Sequence, residues 1–262
     1  MRNNDLQGKT ALITGASSGM GADFARQLAA SGCRVILVAR RAEKLKDLAS
    51  EIETSTKNAA ECIAMDLCAP DAPRRLFDRL RADGRTVDVL INNAGYAVFG
   101  EFRQMDWAQC HAMLELDVVA LTHLTRLFAA DMAQRGSGSI LLVASTGAFQ
   151  PTPLYAAYCA AKSYVLYLGE ALHYELRPHG VGVTVLCPGP TKTEFFDVAK
   201  QELTAYQRMM MMDSAAVARI GIRAMLANRS CVVAGTINAV VAALAPILPR
   251  QFMAGMAGNM MK

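Results

Sequence analysis

The alternation of two hydrophobic periodicities along the chain constrains the fold more than any other feature. Short runs of β-branched and other apolar residues recur, and longer segments with apolar residues at helical spacing lie between them. The runs are TALIT, RVILVA, ECIAMD, VDVLIN, SILLVAS, VGVTVLC and SCVVA. Strands that are apolar throughout are typical of parallel sheets buried on both faces. We therefore predict an α/β fold, a doubly wound parallel sheet of about seven strands with helices on both faces.

The segments between the runs predict the helices and the extent of the domain. The expected helices are 21–31, 43–54, 71–81, 106–134 and 158–179. After Cys187 the alternation stops, and proline, glycine and bulky apolar residues over about 190–213 predict a loop with short helices, which we interpret as a substrate lid. No linker rich in Ser, Gly or Pro interrupts the 262 residues, so we expect a single domain over 1–262.

Charge and cysteine content exclude several classes of protein. The net charge is +4, and basic and acidic residues are interspersed, so we expect no nucleic-acid partner. The cysteines form no CxxC pair, and the neighbours Cys110 and His111 face different directions on a helix, so no metal site is predicted. Buried free thiols, together with a start that lacks an apolar run, predict a cytoplasmic protein.

The C-terminal tail, about 236–262, belongs to the most apolar part of the chain. From Cys231 to Pro249 the apolar stretch approaches the length of a membrane span, but Gly235, Asn238 and two prolines interrupt it. A short strand followed by a buried helix explains it as well. We expect no membrane span, and a loose contact with a membrane or a lipid-like substrate stays open as an alternative.

A glycine-rich segment, TGASSGMG, follows the first strand and opens the first helix. Its glycines allow the backbone to turn tightly and to approach a ligand closely. The helix N-terminus then offers N–H groups and its dipole to an anion such as a pyrophosphate. A tight strand-to-helix turn is the structural alternative, but the position in a βαβ unit favours a dinucleotide site. The candidate cofactor contacts in this loop are Gly15, Ser17, Ser18, Gly19, Met20 and Gly21.

Two arginines end the second strand, where Arg40 is followed by Arg41. An Asp or Glu about 20 residues beyond the glycines would bind the ribose hydroxyls of NAD, whereas arginine pairs with the extra phosphate of NADP. The first carboxylate in this region is that of Glu43. We therefore predict NADP as the cofactor, with simple exposure of both arginines as the alternative.

The stretch YCAAK places the phenol of Tyr158 four residues before the ammonium of Lys162. On a helix these two side chains lie on one face, one turn apart. Taken alone, the pair is explained by an ordinary amphipathic helix. Beside the glycine loop, it suggests an acid or base.

Together these motifs resemble the short-chain dehydrogenase/reductase family over about residues 9–193. The resemblance includes the acidic Asp66 in MDL, the NNAG segment 92–95, Ser145 in VAST and the PGPTKT segment 188–193. The run CPGPTKTEFF further resembles the bacterial DltE-like oxidoreductases, whose substrates are mostly unassigned.

The resemblance implies a Rossmann-type oxidoreductase with Tyr158 as the acid or base at the substrate oxygen. Ser145 would hydrogen-bond that oxygen, and Lys162 would hold the nicotinamide ribose. A lysine ammonium nearby favours the phenolate, so we expect the pKa of Tyr158 to fall below its usual ~10. The further cofactor contacts that the resemblance implies are Asp66, Leu67, Asn93, Ala94, Gly95, Tyr158, Lys162, Pro188, Gly189, Thr191 and Thr193.

One position departs from the family pattern. The family usually carries an asparagine in the helix after NNAG, and here Asp117 stands in LELDVVALT. Asp117 completes the candidate catalytic set of Ser145, Tyr158 and Lys162. A carboxylate near Lys162 would partly neutralise it and weaken its effect on Tyr158.

Aromatic residues around the catalytic motifs predict an apolar substrate pocket. A hydrophobic ketone, an aldehyde or a secondary alcohol would suit such a pocket. The family also pairs its long helices between subunits, which implies a homodimer or homotetramer. A catalytically silent NADP sensor and a lipid-associated oxidoreductase acting on acyl or sterol-like substrates remain as alternatives. The candidate pocket residues are Tyr96, Phe149, Tyr155, Phe195 and Phe196.

The two arginines give a first test of the cofactor prediction. We expect the double substitution Arg40→Asp with Arg41→Ala to move the preference from NADPH toward NADH, because a carboxylate replaces the cationic phosphate partner. Fluorescence titration with both nucleotides measures this shift. An unchanged preference would mean that another group, such as Ser17 or Ser18, recognises the phosphate.

Overall fold

The computed structural model of the chain describes residues 6–261, except the side chain of Tyr206. The strands in this part of the chain are β1 (Thr10–Thr14), β2 (Arg34–Ala39), β3 (Ala60–Ala64), β4 (Val89–Asn92), β5 (Gly138–Val143), β6 (Val181–Cys187), β7 (Thr191–Lys192), β8 (Met212–Asp213) and β9 (Cys231–Val233).

Seven of these strands form one sheet in the order β3-β2-β1-β4-β5-β6-β9. All pairs in it are parallel. Each of the apolar runs named above overlaps one strand of this sheet. The predicted doubly wound parallel sheet is therefore confirmed.

The helices lie between the strands as the periodicity predicts, with ends that differ by a few residues. They are α1 (Gly19–Ala30), α2 (Ala42–Thr56), α3 (Ala72–Ala82), α4 (Trp107–Leu114), α5 (Leu121–Arg135), α6 (Ala156–Leu176), α7 (Phe195–Val198), α8 (Ala205–Met210), α9 (Ser214–Leu226), α10 (Thr236–Leu244) and α11 (Arg250–Met260).

The predicted helix 106–134 is not one regular α-helix. A π-helical segment, Glu115–Ala120, joins α4 to α5 and contains Asp117. Such a wide turn is rare and is frequent at functional sites. Hydrophobic periodicity does not reveal it, because the residues on either side keep the same buried face.

Two hydrophobic clusters cover the two faces of the sheet. Ile13 of β1 packs with Phe24 of α1 on one face. Its neighbour Leu12 packs on the other face, in the cluster that contains Phe128 of α5 and Val165 of α6. Successive residues of a strand point to opposite faces, which explains why these strands are apolar throughout.

The chain reverses its direction of travel across the sheet between β1 and β4. Strands β2 and β3 lie on one side of β1, and β4, β5, β6 and β9 lie on the other. In open parallel sheets, ligands bind beyond the carboxyl ends of the strands at such a switch point. The glycine loop follows β1 and the NNAG segment begins at the end of β4, so both lie at this point.

The segment 190–213 combines short helices with two very short strands. Helices α7 and α8 lie between β7 and β8, which pair in parallel with each other. The capping box of Thr204 and Gln207 defines the start of α8. Thr193 of this segment packs closely against Gly19, since a Cβ added to Gly19 would lie 2.8 Å from the Thr193 Cγ2. The segment therefore lies over the switch point.

The tail forms a strand and two helices, but the helix after β9 is not buried as expected. Ile237 and Val240 of α10 are 63% and 58% exposed, and only Asn238 and Ala242 are buried. No helix within residues 6–261 is long and apolar enough to cross a membrane. Lys262, at the end of the predicted tail, lies outside the described residues.

The tight packing of the glycine loop predicts a stability effect. A Cβ at Gly21 would lie 2.1 Å from the Gly15 carbonyl oxygen, so Gly21→Ala requires the backbone to move. We expect it to lower the free energy of unfolding by about 1–3 kcal/mol, the usual range for overpacking. Urea unfolding measures this loss. The control Gly255→Ala lies in α11 with open space around it and should be neutral or slightly stabilising; equal losses in both variants would contradict the prediction.

Candidate active site

Two connected cavities lie beyond the carboxyl edge of the sheet. The larger one, about 550 Å³, runs along the glycine loop, the end of β2 and the NNAG segment. The smaller one, about 170 Å³, contains Ser145, Tyr158 and Lys162 in its wall. They form one groove, because they share the lining residues Met20, Asn93, Gly95, Thr193 and Phe195.

The glycine loop leaves the first turn of α1 free of side-chain caps. Gly15 and Gly19 have φ angles of 67° and 53°, a region that favours glycine. Ser18 occupies the N-cap position but makes no capping hydrogen bond with its side chain. Its hydroxyl instead accepts a hydrogen bond from Arg41 Nη2 at 2.7 Å. The N–H groups of the first turn therefore face the groove without a capping side chain.

Arg41 is fixed at the end of the groove, whereas Arg40 is not. The Arg41 Nε and Nη2 donate to the Ser17 hydroxyl at 3.1 and 3.0 Å. Its Nη1 donates to Glu194 at 2.7 Å. Arg40 lines the same groove, but its side chain makes no hydrogen bond or ion pair within residues 6–261. Of the two arginines, Arg41 is therefore the one whose guanidinium is held in place where it can bind an anion.

The NNAG segment is tied to the end of β1. The backbone N–H groups of Asn93 and Ala94 donate to the Thr14 hydroxyl at 3.0 and 2.9 Å. The Asn93 side-chain amide donates to the Thr14 carbonyl at 2.9 Å. These bonds hold Asn93, Ala94 and Gly95 in the wall of the groove.

Tyr158, Ser145 and Lys162 meet at one wall of the smaller cavity. Tyr158 and Lys162 lie on the same face of α6, with Lys162 Nζ 5.7 Å from the centre of the phenol ring. Tyr158 and Ser145 line this cavity together. The Ser145 hydroxyl accepts from the Gly147 N–H at 3.1 Å, which fixes its orientation. The three residues that the sequence singled out are therefore neighbours in space.

Asp117 forms a buried ion pair with Lys162. Asp117 Oδ2 lies 2.9 Å from Lys162 Nζ, and the side chains are 0% and 5% exposed. Lys162 Nζ also donates to the Val143 carbonyl at 3.2 Å, and Asp117 Oδ1 accepts from the Tyr96 N–H at 3.1 Å. Burial raises the pKa of Asp117, and the nearby Lys162 charge opposes this rise.

The expected fall in the pKa of Tyr158 is wrong for this structure. Burial raises the pKa of Tyr158 well above its usual value, and the Asp117 carboxylate raises it further. The nearby Ser145 hydroxyl acts in the opposite direction and lowers the pKa of Tyr158. Asp117 largely neutralises the charge of Lys162. The effect of Lys162 on the pKa of Tyr158 is therefore weakened, as the sequence predicts for a carboxylate at position 117.

The structure brings only some of the predicted pocket residues to the smaller cavity. Tyr155 and Phe196 line the smaller cavity, and Phe195 lines both cavities. Phe149 instead packs against the hydrophobic cluster of α5 and α6, so it lies in neither wall. Tyr96 lines only the larger cavity, where its hydroxyl donates to the Gln109 carbonyl.

The other predicted cofactor contacts divide between the two cavities. Asp66 and Leu67 line the larger one, beside Ser17, Ser18 and Arg41. Pro188, Gly189 and Thr191 line the smaller one. Residues that sequence reasoning missed also line the smaller cavity, among them Thr152, Gln207 and Met261. Only their position in the fold brings them there, since none belongs to a recognisable motif.

The groove fits a dinucleotide with an additional phosphate. It offers uncapped N–H groups at the start of α1, a helix of 12 residues, for a pyrophosphate. It also offers Arg41, held by two serine hydroxyls, for a further anion. Within residues 6–261 no group of three or more His, Cys, Asp or Glu side chains could hold a metal ion.

The sequence matches the short chain dehydrogenase family over residues 9–204. The chain belongs to this family. It is 37% identical over 182 residues to a very-long-chain 3-oxoacyl-CoA reductase of Phaeosphaeria nodorum, a match that covers 68% of this chain. The match covers 53% of that reductase, so the chain spans about half the length of this curated relative.

Solved structures of family members extend the likeness over most of the chain. A short-chain dehydrogenase from Sphingobium yanoikuyae in complex with NADPH is 30% identical, with a TM-score of 0.81, over 91% of this chain and 94% of that one. The bulky-bulky ketone specific alcohol dehydrogenase from Comamonas testosteroni is 30% identical, with a TM-score of 0.77, over 91% and 93%.

The ion pair predicts how Tyr158 titrates. In Asp117→Asn the negative charge that disfavours the phenolate is lost and Lys162 loses its neutralising partner, so both changes lower the pKa of Tyr158. Tyrosinate absorbance measured against pH, with the Tyr158→Phe form of each protein subtracted, isolates this group. An unchanged or higher pKa in the variant would mean that Asp117 does not control the phenol.

Proposed function

We propose that the protein is an NADP-dependent reductase of hydrophobic ketones or aldehydes, with Tyr158 as the proton donor. The observation that carries the proposal is the meeting of Tyr158, Ser145 and Lys162 in the wall of a small cavity that opens into the groove with the glycine loop and Arg41. A bound nicotinamide cofactor supplies the hydride.

The protonation of Tyr158 favours the reductive direction. Because burial raises the pKa of the phenol, Tyr158 keeps its proton at neutral pH. It can therefore give this proton to a carbonyl oxygen as that oxygen gains negative charge. Ser145 lies in the wall of the same cavity, and its hydroxyl can donate a hydrogen bond to the same oxygen. In the oxidative direction Tyr158 must first lose its proton, which its raised pKa makes harder.

Lys162 acts by position and by charge. Its ammonium is held between the Val143 carbonyl and the Asp117 carboxylate, so it is fixed before any ligand enters. A fixed cation beside the phenol stabilises the phenolate that proton donation leaves behind. Asp117 reduces this stabilisation, so we expect turnover to be slower than with an uncharged residue at position 117.

The preference for NADP over NAD rests on cations in the groove. Arg41 is anchored by Ser17 and Ser18 at the end of β2, and Lys44 lies one helical turn further along the chain. Two cations favour a phosphate at this end of the groove. Asp66, which follows β3 and lines the same groove, accepts a hydrogen bond from the Cys68 N–H.

An apolar substrate suits the lining of the smaller cavity. Tyr155, Phe195 and Phe196 supply aromatic surface, and Met261 supplies a flexible apolar side chain. The names of the two matched proteins, a 3-oxoacyl-CoA reductase and a bulky-ketone alcohol dehydrogenase, support ketones with acyl or other bulky apolar groups. The DltE-like assignment stays a prediction that rests on the run CPGPTKTEFF alone.

We also propose a homodimer or homotetramer. Trp107, Val119 and Tyr167 on α4, the π-helical segment and α6 are 67%, 51% and 69% exposed. Apolar side chains on adjacent long helices are costly to leave in water, and association would cover them. Light scattering at assay concentration distinguishes a monomer from these assemblies.

Removal of the Tyr158 hydroxyl tests the proposed proton donor. We expect Tyr158→Phe to bind NADPH almost as well as the unmodified protein while turnover falls by about 10²- to 10⁴-fold, because general acid catalysis is lost. Fluorescence titration and the decrease in cofactor absorbance measure the two quantities. The control Tyr174→Phe removes a hydroxyl from the same helix at a site that is 83% exposed, and its turnover should not change.

The substrate class is tested with a panel of medium- and long-chain 3-oxoacyl thioesters and bulky ketones. Turnover with NADPH that Tyr158→Phe abolishes supports the proposal. Tight NADPH binding without turnover of any panel member would favour the alternative of a silent NADP sensor. Residual turnover within about tenfold in Tyr158→Phe would exclude the phenol as the proton donor.

A further inference from the structure

A carboxylate occupies the anion site at the end of the groove. Glu194 Oε2 accepts from Arg41 Nη1 at 2.7 Å, and Glu194 Oε1 accepts from Lys44 Nζ at 2.7 Å. Both oxygens are therefore used, one for each cation. The two cations lower the pKa of Glu194 to about 2, so it is ionised at any assay pH.

Glu194 uses the donors that a phosphate would need. The guanidinium of Arg41 has five N–H groups. Three of them donate to Ser17 and Ser18, and a fourth donates to Glu194. A phosphate that pairs with two guanidinium nitrogens must replace at least one of these partners. Glu194 is the only anion among them, and it repels a phosphate as well as competing for its donors.

Glu194 belongs to the segment that covers the smaller cavity. It directly precedes Phe195, whose ring lies 5.5 Å from that of Tyr158. The preceding Thr193 packs against Gly19 of the glycine loop. The Glu194 carboxylate thus connects the anion site to an aromatic side chain that touches the proposed proton donor.

We propose that Glu194 is a specificity-determining residue that occupies the site of the cofactor's 2′-phosphate in the ligand-free protein, and that the phosphate displaces it. This inference rests on the proposed use of NADP. If Glu194 competes in this way, the affinity for NADP is lower than it would be if Arg41 and Lys44 had no carboxylate partner. Displacement also frees the segment from Glu194 to Lys200 from its contact with α2.

Two adenosine phosphates isolate this site without any turnover. Adenosine 2′,5′-bisphosphate carries the phosphate in question, and adenosine 5′-monophosphate lacks it. By calorimetry with the full-length protein, we expect Glu194→Gln to bind the bisphosphate roughly three- to tenfold more tightly, the range for loss of competing ion pairs at a half-exposed site. Binding of the monophosphate should change less than about twofold.

The matched control is Asp197→Asn. Asp197 lies on α7, three residues from Glu194, and its exposed side chain makes no hydrogen bond or ion pair within the described residues 6–261. This variant removes the same charge at a position three residues from Glu194, so it should leave both affinities unchanged. An equal gain in Asp197→Asn would mean that net charge, and not the contact with Arg41, is responsible, and would overturn the inference.

The remaining outcomes separate this inference from the proposed function. If the unmodified protein prefers the bisphosphate but Glu194→Gln shows no gain, the inference fails and the use of NADP stands. If the unmodified protein binds the two nucleotides equally, both fail. Hydrogen exchange gives an independent readout: the bisphosphate should speed exchange over residues 195–200 in the unmodified protein, and Glu194→Gln should show fast exchange without it. Slower exchange on binding the bisphosphate would overturn the displacement.

Discussion

The hydroxyl group of Thr14 holds together the two loops on which the site depends. Fully buried at the end of β1, it accepts the N–H groups of Asn93 and Ala94 from the end of β4. Without it, two amides at the switch point would lack a partner, and each buried amide left unpaired costs about 1–3 kcal/mol. The glycine loop and the NNAG segment, which both line the groove, pack against each other at this junction. The rest of the site is built outward from this junction.

The second constraint is electrostatic. Two opposite charges, Asp117 and Lys162, are almost completely removed from water, and a buried pair of this kind adds little net stability although loss of one partner costs about 3–5 kcal/mol. The π-helical turn is what brings Asp117 inward to meet Lys162. The chain thus keeps a fixed, largely neutralised lysine under a phenol that retains its proton. This combination suits proton donation better than proton removal.

The fold and the central residues could be predicted from the sequence because each has a local signal. The apolar runs predict the strands. The spacing of Tyr158 and Lys162 predicts that both side chains lie on the same face of a helix. Three features lacked such a signal. The π-helical turn leaves the period of hydrophobic residues intact. Phe149 ends a 3-10 helix, Thr146–Phe149, and its side chain packs against the core. The partners of Glu194 lie about 150 residues away in the chain. The pKa of Tyr158 was also wrongly predicted, since burial and the Asp117 carboxylate both raise it.

The last helix contributes to a cavity whose other walls come from the family motifs. Met261 follows α11, lies in the wall of the smaller cavity, and its sulfur accepts weak hydrogen bonds from Gln201 and Gln207. The family match ends at residue 204, well before this point. The wall of this cavity therefore combines Tyr155, Phe195 and Phe196 from inside the family match with Met261 from beyond it. Two relatives with identical motifs can thus differ in the shape of this cavity through exchanges at the end of the chain alone.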